Sequence, residues 1–347
     1  MKGLVFEKNG VVVLKDVDKP VLQNDTDAIV RITLTTICGS DVHLVEGHIP
    51  TTSGYVLGHE YVGVIESLGK NIKNLKPGDR VAGPAAPYCG QCENCKKGNI
   101  AHCLNGGVHG SGKEFGNLDG THSEFIRVPN AHVNLLPIPD DVSDEQAIFT
   151  GDILSTGYSA VKDAQIKMGD TVVVFGGGPV GLCAVEAARL FNPGQIILVG
   201  HCDGFRMEVG KSMGTDHTIL SSEENAVLKI FELTNGKGAD AAIDAAGSNQ
   251  TLIDAVRCVG IGGRVSLAAL YAAPVELPMQ ELCMKNIQIK MGLGYLGDMD
   301  RLMKMIEKGK IKTDRLITHR MALKDIEKAF EIFRGRTEPV IKILIKP

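Results

Sequence analysis

An unbroken apolar run, Thr171-Val172-Val173-Val174-Phe175, stops at Gly176-Gly177-Gly178-Pro179-Val180-Gly181, and helix-spaced apolar residues follow to Phe191. A strand that leaves a glycine turn as a helix reaches its next strand, Ile196-Ile197-Leu198-Val199, only after the chain has doubled back. The two strands are therefore parallel. The alternation continues with a helix from Glu223 to Leu233, a strand from Ala239 to Ile243, a helix from Thr251 to Val259 and a strand from Gly263 to Leu267. A helical run from Asp144 to about Lys162 precedes the series. Such a pattern predicts a doubly wound α/β unit with helices on both faces of a parallel sheet.

The first part of the chain follows a different rule. Gly3-Leu4-Val5-Phe6, Val11 to Leu14, Ala28 to Ile32 and Tyr61 to Ile65 are short strand-like bursts separated by Gly, Pro and Asp. They predict an all-β, barrel-like unit. Residues 84–120 are rich in Gly, Cys and Asn with little apolar periodicity, so a bound ion is the expected ordering element. From Asp298 the pattern gives two amphipathic helices and a final strand, Val340 to Ile345, that could rejoin the first unit. The expected domains are thus 1–153 with 296–347, carrying a lobe at 84–120, and 154–295.

With 37 Lys and Arg against 41 Asp and Glu the chain is slightly acidic and has no basic run, which argues against a nucleic-acid partner. No segment approaches the roughly 18 continuous apolar residues of a membrane helix, and a cytoplasmic location is expected. Nine cysteines, an odd number, fit thiolates and metal better than disulfides in that compartment. Four of them, Cys89, Cys92, Cys95 and Cys103, have the spacing C-x2-C-x2-C-x7-C, which can close a tetrahedron around one structural zinc. A site filled by four sulfurs has no corner for substrate, so its role is to order the loop.

The G-x-G-x-x-G turn between a strand and a helix is the setting for a dinucleotide. Gly176 makes the turn, Gly178 admits the pyrophosphate, Gly181 lets the helix pack on the strand, and Gly177, Pro179 and Val180 complete the loop at the helix N-terminus. The next strand ends in Gly200-His201-Cys202 without the acid that would hold the ribose of NAD. His201 and Arg206 are candidate partners of a 2'-phosphate, so NADP is expected; NAD is the alternative, since Asp203 could reach a ribose.

A further cluster comes from separated segments: Cys38-Gly39-Ser40-Asp41-Val42-His43, Gly58-His59-Glu60, and Gly151-Asp152. Singly, each has an ordinary explanation: packing for the cysteine, hydrogen bonding for the histidine, a helix or turn cap for the aspartate. Together, Gly58-His59-Glu60-x2-Gly63-x5-Gly69, Cys38-x-Ser40-x-x-His43, the four-cysteine lobe and the glycine turn resemble the zinc-containing medium-chain alcohol dehydrogenases over essentially the whole chain.

That resemblance implies a GroES-like β-barrel catalytic domain and a Rossmann cofactor domain. It implies Cys38, His59 and Asp152 as ligands of a catalytic zinc with one corner open to the substrate oxygen, and Glu60 beside the metal. Ser40 and His43 resemble the family's proton relay, although a turn hydroxyl and a surface imidazole are ordinary roles for them too. Thr156 resembles the contact to the nicotinamide ring. Aspartate at position 152 is similar to bacterial secondary-alcohol dehydrogenases, many of which lack the cysteine lobe that this chain keeps. The implied activity is hydride transfer between a secondary alcohol and NADP, giving a ketone, with two zinc ions per subunit in a homo-oligomer, a tetramer among most bacterial relatives. NAD-dependent oxidation of a polyol, butanediol or threonine is the alternative inside the family, and a catalytically silent nucleotide-binding relative the alternative outside it. His48, His109 and His122 are expected to be structural or solvent-facing.

Overall fold

The computed structural model describes all 347 residues, which divide into two compact units, Met1–Ser155 with Tyr295–Pro347, and Thr156–Gly294. No helix is long and apolar enough to cross a membrane.

In the second unit six strands form one parallel sheet. Their order is His217–Leu220, Gln195–Gly200, Thr171–Phe175, Ala239–Asp244, Val259–Leu267 and Gln288–Met291. The chain first builds outward from Thr171–Phe175 on one side and then crosses to the other, so the point where direction reverses lies between Thr171–Phe175 and Ala239–Asp244. Ligands of such sheets bind outside the strand ends at that switch, which is where Gly176 follows Phe175. Val173, Phe175, Ile197, Val199, Ile243 and Val265 are buried, as strands covered on both faces require.

The first unit holds a seven-stranded sheet built mostly around Ala28–Thr36, which pairs with Glu60–Leu68, Phe125–Val128 and the C-terminal strand Lys342–Lys346. The hairpin of Lys2–Lys8 and Val11–Asp16 forms a separate two-stranded antiparallel sheet. The last strand therefore returns to the first unit through a register that sets Leu344 against Thr36.

Local chemistry moved several boundaries. The run from Asp144 breaks into Asp144–Ala147, a 3-10 turn Ile148–Gly151 and a helix Ile153–Asp163, with Asp152 in a non-helical conformation at the break. The helix expected from Glu223 starts at Ala226, because the Asn225 side chain accepts the Leu228 N–H and caps it there. Ser248 likewise starts its helix at Asn249 rather than Thr251. The first unit is not all β: Cys38 is followed by a helix, Gly39–Val45. The cysteine lobe also has a small apolar cluster, Ala85 and Ile100 with Leu296, so the ion need not order it alone.

Candidate active site and metal centres

Cys38 ends the strand side of the first unit and caps the helix Gly39–Val45. Its own N–H donates to Asp41 Oδ2 at 2.9 Å, which fixes the turn that aims the thiol. His59 and Glu60 stand where the chain enters Glu60–Leu68, and Asp152 stands at the helix break, where an uninterrupted helix would have pointed it elsewhere. The four side chains converge: one ligand atom of each lies within 4.8 Å of the others. Cys38 Sγ is 3.6 Å from Asp152 Oδ2, and His59 Nε2 is 3.2 Å from the same oxygen. A tetrahedral ion with bonds of about 2.0 to 2.3 Å needs ligand atoms about 3.3 to 3.8 Å apart. The donor set and its spacing thus fit zinc.

Two residues that the sequence reading passed over organise this site. Asp41, fully buried, sits 3.1 Å from His59 Nδ1 through one oxygen and takes the Cys38 N–H and His122 Nε2 (3.3 Å) on the other. A carboxylate on one imidazole nitrogen fixes the ring and leaves the other to bind metal. The signal was available, since Asp41 lies three residues after Cys38, in the first turn of a helix. His122 is buried with its Nδ1 3.0 Å from Thr35 Oγ1, and His109 is buried as well; both are structural.

Lys342 is the second. It is fully buried, with Nζ 2.5 Å from Glu60 Oε1 and 2.8 Å from the Ile37 carbonyl oxygen. One lysine in the apolar run Val340 to Ile345 was its trace in the sequence. Glu60 Oε2 has no hydrogen-bond partner and belongs to the ligand cluster. Burial pushes the Glu60 carboxyl up, Lys342 opposes this and Asp152 adds to it, leaving it at about 7. Burial also raises the Cys38 thiol, with Asp152 and Glu60 adding to the rise and His59 opposing it. A cation among these groups would reverse that balance and hold the thiolate.

Ser40 Oγ lies 3.2 Å from His59 Nε2, beside the ligand atoms. His43, one turn further along the same helix, faces His48 rather than Ser40, with 3.2 Å between the two Nδ1 atoms.

In the lobe, Cys92 Sγ is 3.4 Å from Cys95 Sγ and 3.8 Å from Cys103 Sγ. The Cys92 N–H points at Cys89 Sγ (3.4 Å), the Cys89 N–H at Cys103 Sγ (3.2 Å) and the Asn105 amide at Cys89 Sγ (3.6 Å). Although burial opposes it, hydrogen bonds from the Gln91 backbone, the Asn105 amide, the Cys92 backbone and the Cys103 side chain bring the Cys89 thiol down to about 6. None of the four lobe cysteines forms a disulfide. The spacing and the N–H donors aimed at sulfur fit a second, closed zinc site.

In the other unit, Gly176 has φ +104, and a Cβ on Gly181 would lie 1.8 Å from the Gly176 carbonyl oxygen, so neither position accepts a side chain. A Cβ on Gly178 would meet nothing within 4 Å, which leaves the N-terminus of the helix Pro179–Ala188 open to a phosphate. Gly177 faces the end of Met207, and Thr156 lies against Gly294. Arg206 does not stand ready as a phosphate partner. It is buried, with Nε 3.1 Å from Asp203 Oδ2, because Asp203 caps the helix Gly204–Met213 and takes the guanidinium as well. His201 remains exposed, its Nδ1 3.3 Å from Ser221 Oγ. Asp244, buried at its strand end, is engaged by the Ala246 N–H and the Tyr271 hydroxyl.

The family model described as the alcohol dehydrogenase GroES-like domain matches residues 24–140, and that described as zinc-binding dehydrogenase matches 179–308. The chain is 37% identical over 363 residues to an alcohol dehydrogenase of Cupriavidus necator, covering 100% of this chain and 99% of the relative. It is 34% identical over 357 residues to an NADP-dependent isopropanol dehydrogenase of Thermoanaerobacter brockii, covering 99% of each. Among solved structures, alcohol dehydrogenase TADH from Thermus sp. ATN1 matches with a TM-score of 0.95 at 38% identity, covering 100% of this chain and 99% of that one.

Proposed function

The chain belongs to the zinc-type medium-chain alcohol dehydrogenases and is a zinc-dependent, nicotinamide-linked alcohol oxidoreductase; from that premise we propose that it interconverts a secondary alcohol and a ketone with NADP(H). The observation that carries the proposal is the meeting of Cys38 Sγ, His59 Nε2 and Asp152 Oδ2 beside the Ser40 hydroxyl. Three protein ligands leave one corner of a tetrahedron for substrate. Bound there, zinc would supply Lewis acidity toward the substrate oxygen.

Within this reading, Asp41 holds the His59 ring, and Lys342 holds Glu60 at the edge of the site. Ser40 receives the substrate hydroxyl proton, and His43 releases it to water. Burial and the neighbouring His48 keep the His43 imidazole below its ordinary pKa, while Glu46 pulls it up, so near neutral pH it is uncharged and able to accept a proton. Cys89, Cys92, Cys95 and Cys103 would hold the second, structural zinc. Gly176 to Gly181 would hold the pyrophosphate of the dinucleotide, and Thr156 would contact the nicotinamide that supplies the hydride chemistry.

The secondary-alcohol and NADP parts draw on the likeness to the isopropanol enzyme and on the bare strand end at Gly200. Asp203 is neutralised by Arg206, which lowers its repulsion of a 2'-phosphate, and His201 with Ser221 faces solvent. Initial rates with NADP and NAD against 2-propanol, 2,3-butanediol, sorbitol, threonine and a primary alcohol test this. The fastest turnover is expected with NADP and 2-propanol; preference for a polyol or threonine with NAD would replace the substrate assignment, and no turnover at all would leave a silent nucleotide binder.

Gly200→Asp is expected to lower the NADP to NAD preference by about tenfold or more, through a carboxylate at the ribose. The new Cβ would press only on the flexible end of Met207, 2.5 Å away at Cε. An unchanged ratio of kcat/KM values would place selectivity elsewhere.

We also propose a homo-oligomer, a tetramer, in the cytoplasm. Gln288–Met291 is a free edge of the parallel sheet, with Ile289 40% and Met291 62% exposed, and such edges call for a partner. A native mass equal to the 37.1 kDa of one chain would refute this.

A further inference from the structure

Besides the two centres described above, one more group of side chains has metal-ligating chemistry: His43, Glu46 and His48, whose ligand atoms lie within 4.8 Å of one another. They are brought together by a short backbone device. His43 is in the last turn of the helix Gly39–Val45, and the N–H groups of His48 and Ile49 both donate to its carbonyl oxygen, at 2.9 and 3.3 Å. Gly47, at φ +77, makes the reversal that this needs. The loop therefore folds His48 back over His43.

Two of the resulting distances lie within about 0.1 Å of those in a coordination shell. The two Nδ1 atoms are 3.2 Å apart, and Glu46 Oε2 is 3.7 Å from His48 Nδ1. With metal–nitrogen and metal–oxygen bonds of about 2.0 to 2.2 Å, a tetrahedral ion asks for ligand separations of about 3.3 to 3.6 Å. Two imidazole nitrogens facing each other can share one proton at most, so a cation between them satisfies both lone pairs. The other Glu46 oxygen is 3.1 Å from Arg334 Nε, which orients the carboxylate from outside as metal-bound carboxylates usually are. His48 is 48% exposed at its side chain, so an ion and its remaining water can reach the group. Two imidazoles and one carboxylate suit zinc, copper or nickel rather than magnesium or calcium.

We propose that His43, Glu46 and His48 bind a third divalent ion of the zinc class, and that its occupancy removes His43 from proton release and so arrests turnover. The second half rests on the relay reading of His43; the first half rests on geometry alone.

The test uses holoenzyme with both resident zincs in place, and zinc itself as the probe, so that exchange with the resident ions changes nothing. Equilibrium dialysis counts bound metal while initial rates are measured over the same zinc concentrations. Wild type should take up one additional equivalent and lose activity in step. His48→Ala should lose that equivalent and need at least tenfold more zinc for half-inhibition, each variant's rate being scaled to its own rate without added zinc. Glu46→Gln should shift it several-fold. Equal metal uptake by wild type and His48→Ala would overturn the site. Uptake lost in His48→Ala without any inhibition in wild type would overturn the coupling and the His43 relay, leaving the alcohol dehydrogenase assignment to stand on the substrate panel.

Discussion

Cys38→Ser should abolish alcohol turnover while the melting temperature stays near that of wild type, and Cys95→Ser should do the reverse, lowering stability before activity. The asymmetry follows from where the two sets of ligands sit. In the proposed reading Cys38 completes a three-ligand set that leaves one corner for substrate, and Lewis acidity of this kind would supply several kcal/mol of transition-state stabilisation. About 4 kcal/mol corresponds to roughly a thousandfold in rate. Around it the fold is held by Asp41, Thr35, His122 and Lys342, which the substitution leaves in place. Cys95 closes a set of four sulfurs in a lobe whose apolar support is only a few residues, so its loss releases folding energy instead. A fall in Tm on the order of 5 to 10 °C is expected, with kcat per folded molecule nearly unchanged. Differential scanning calorimetry with metal analysis and initial rates decides it; equal effects of the two substitutions on rate and Tm would contradict the division of labour.

Lys342→Met should be strongly destabilising. Lys342 and Glu60 are both fully buried and paired at 2.5 Å, and removing the lysine leaves the Glu60 carboxyl either charged and unpaired or forced to take up a proton, at a cost of up to about 3 to 5 kcal/mol. Burial opposes the charge on Lys342, yet Glu60 and Cys38 hold its pKa above the usual value, so the ammonium form is the one the fold uses. The double variant Lys342→Met with Glu60→Gln should recover much of the stability, because no uncompensated charge remains. Its activity reports separately on Glu60. Denaturant midpoints for the four members of the cycle measure the coupling; additive losses would mean that the two side chains do not interact as described.

The strength of a sequence reading differs between these two cases for a physical reason. Cys89, Cys92, Cys95 and Cys103 are close in the chain, so their spacing alone limits where the sulfurs can go. Lys342 and Glu60 are separated by 282 residues, and only the pairing of the C-terminal strand with Ala28–Thr36 brings them together. Asp41 lies between these extremes: near Cys38 in sequence, but recognisable as the carboxylate behind His59 only once the helix Gly39–Val45 is placed. Arg206 is the one arginine close to the cofactor strand, and only the structure shows its Nε 3.1 Å from the helix-capping Asp203.

Local information in the chain therefore determined what local forces control: the parallel α/β pattern, the glycine turn, the cysteine lobe and the segments whose side chains converge on the candidate site. Periodicity and short ligand spacings survive in one dimension because the backbone geometry that reads them is short-ranged. Tertiary structure alone decided which side chains share a proton or a charge. The break at Asp152 that turns its carboxylate toward Cys38 and His59, the buried Lys342 beneath Glu60 and the fold-back of His48 onto His43 all depend on contacts that form only when distant strands and turns have closed. Burial then makes each of those contacts strong, because a charge or lone pair removed from water must find its partner in the protein.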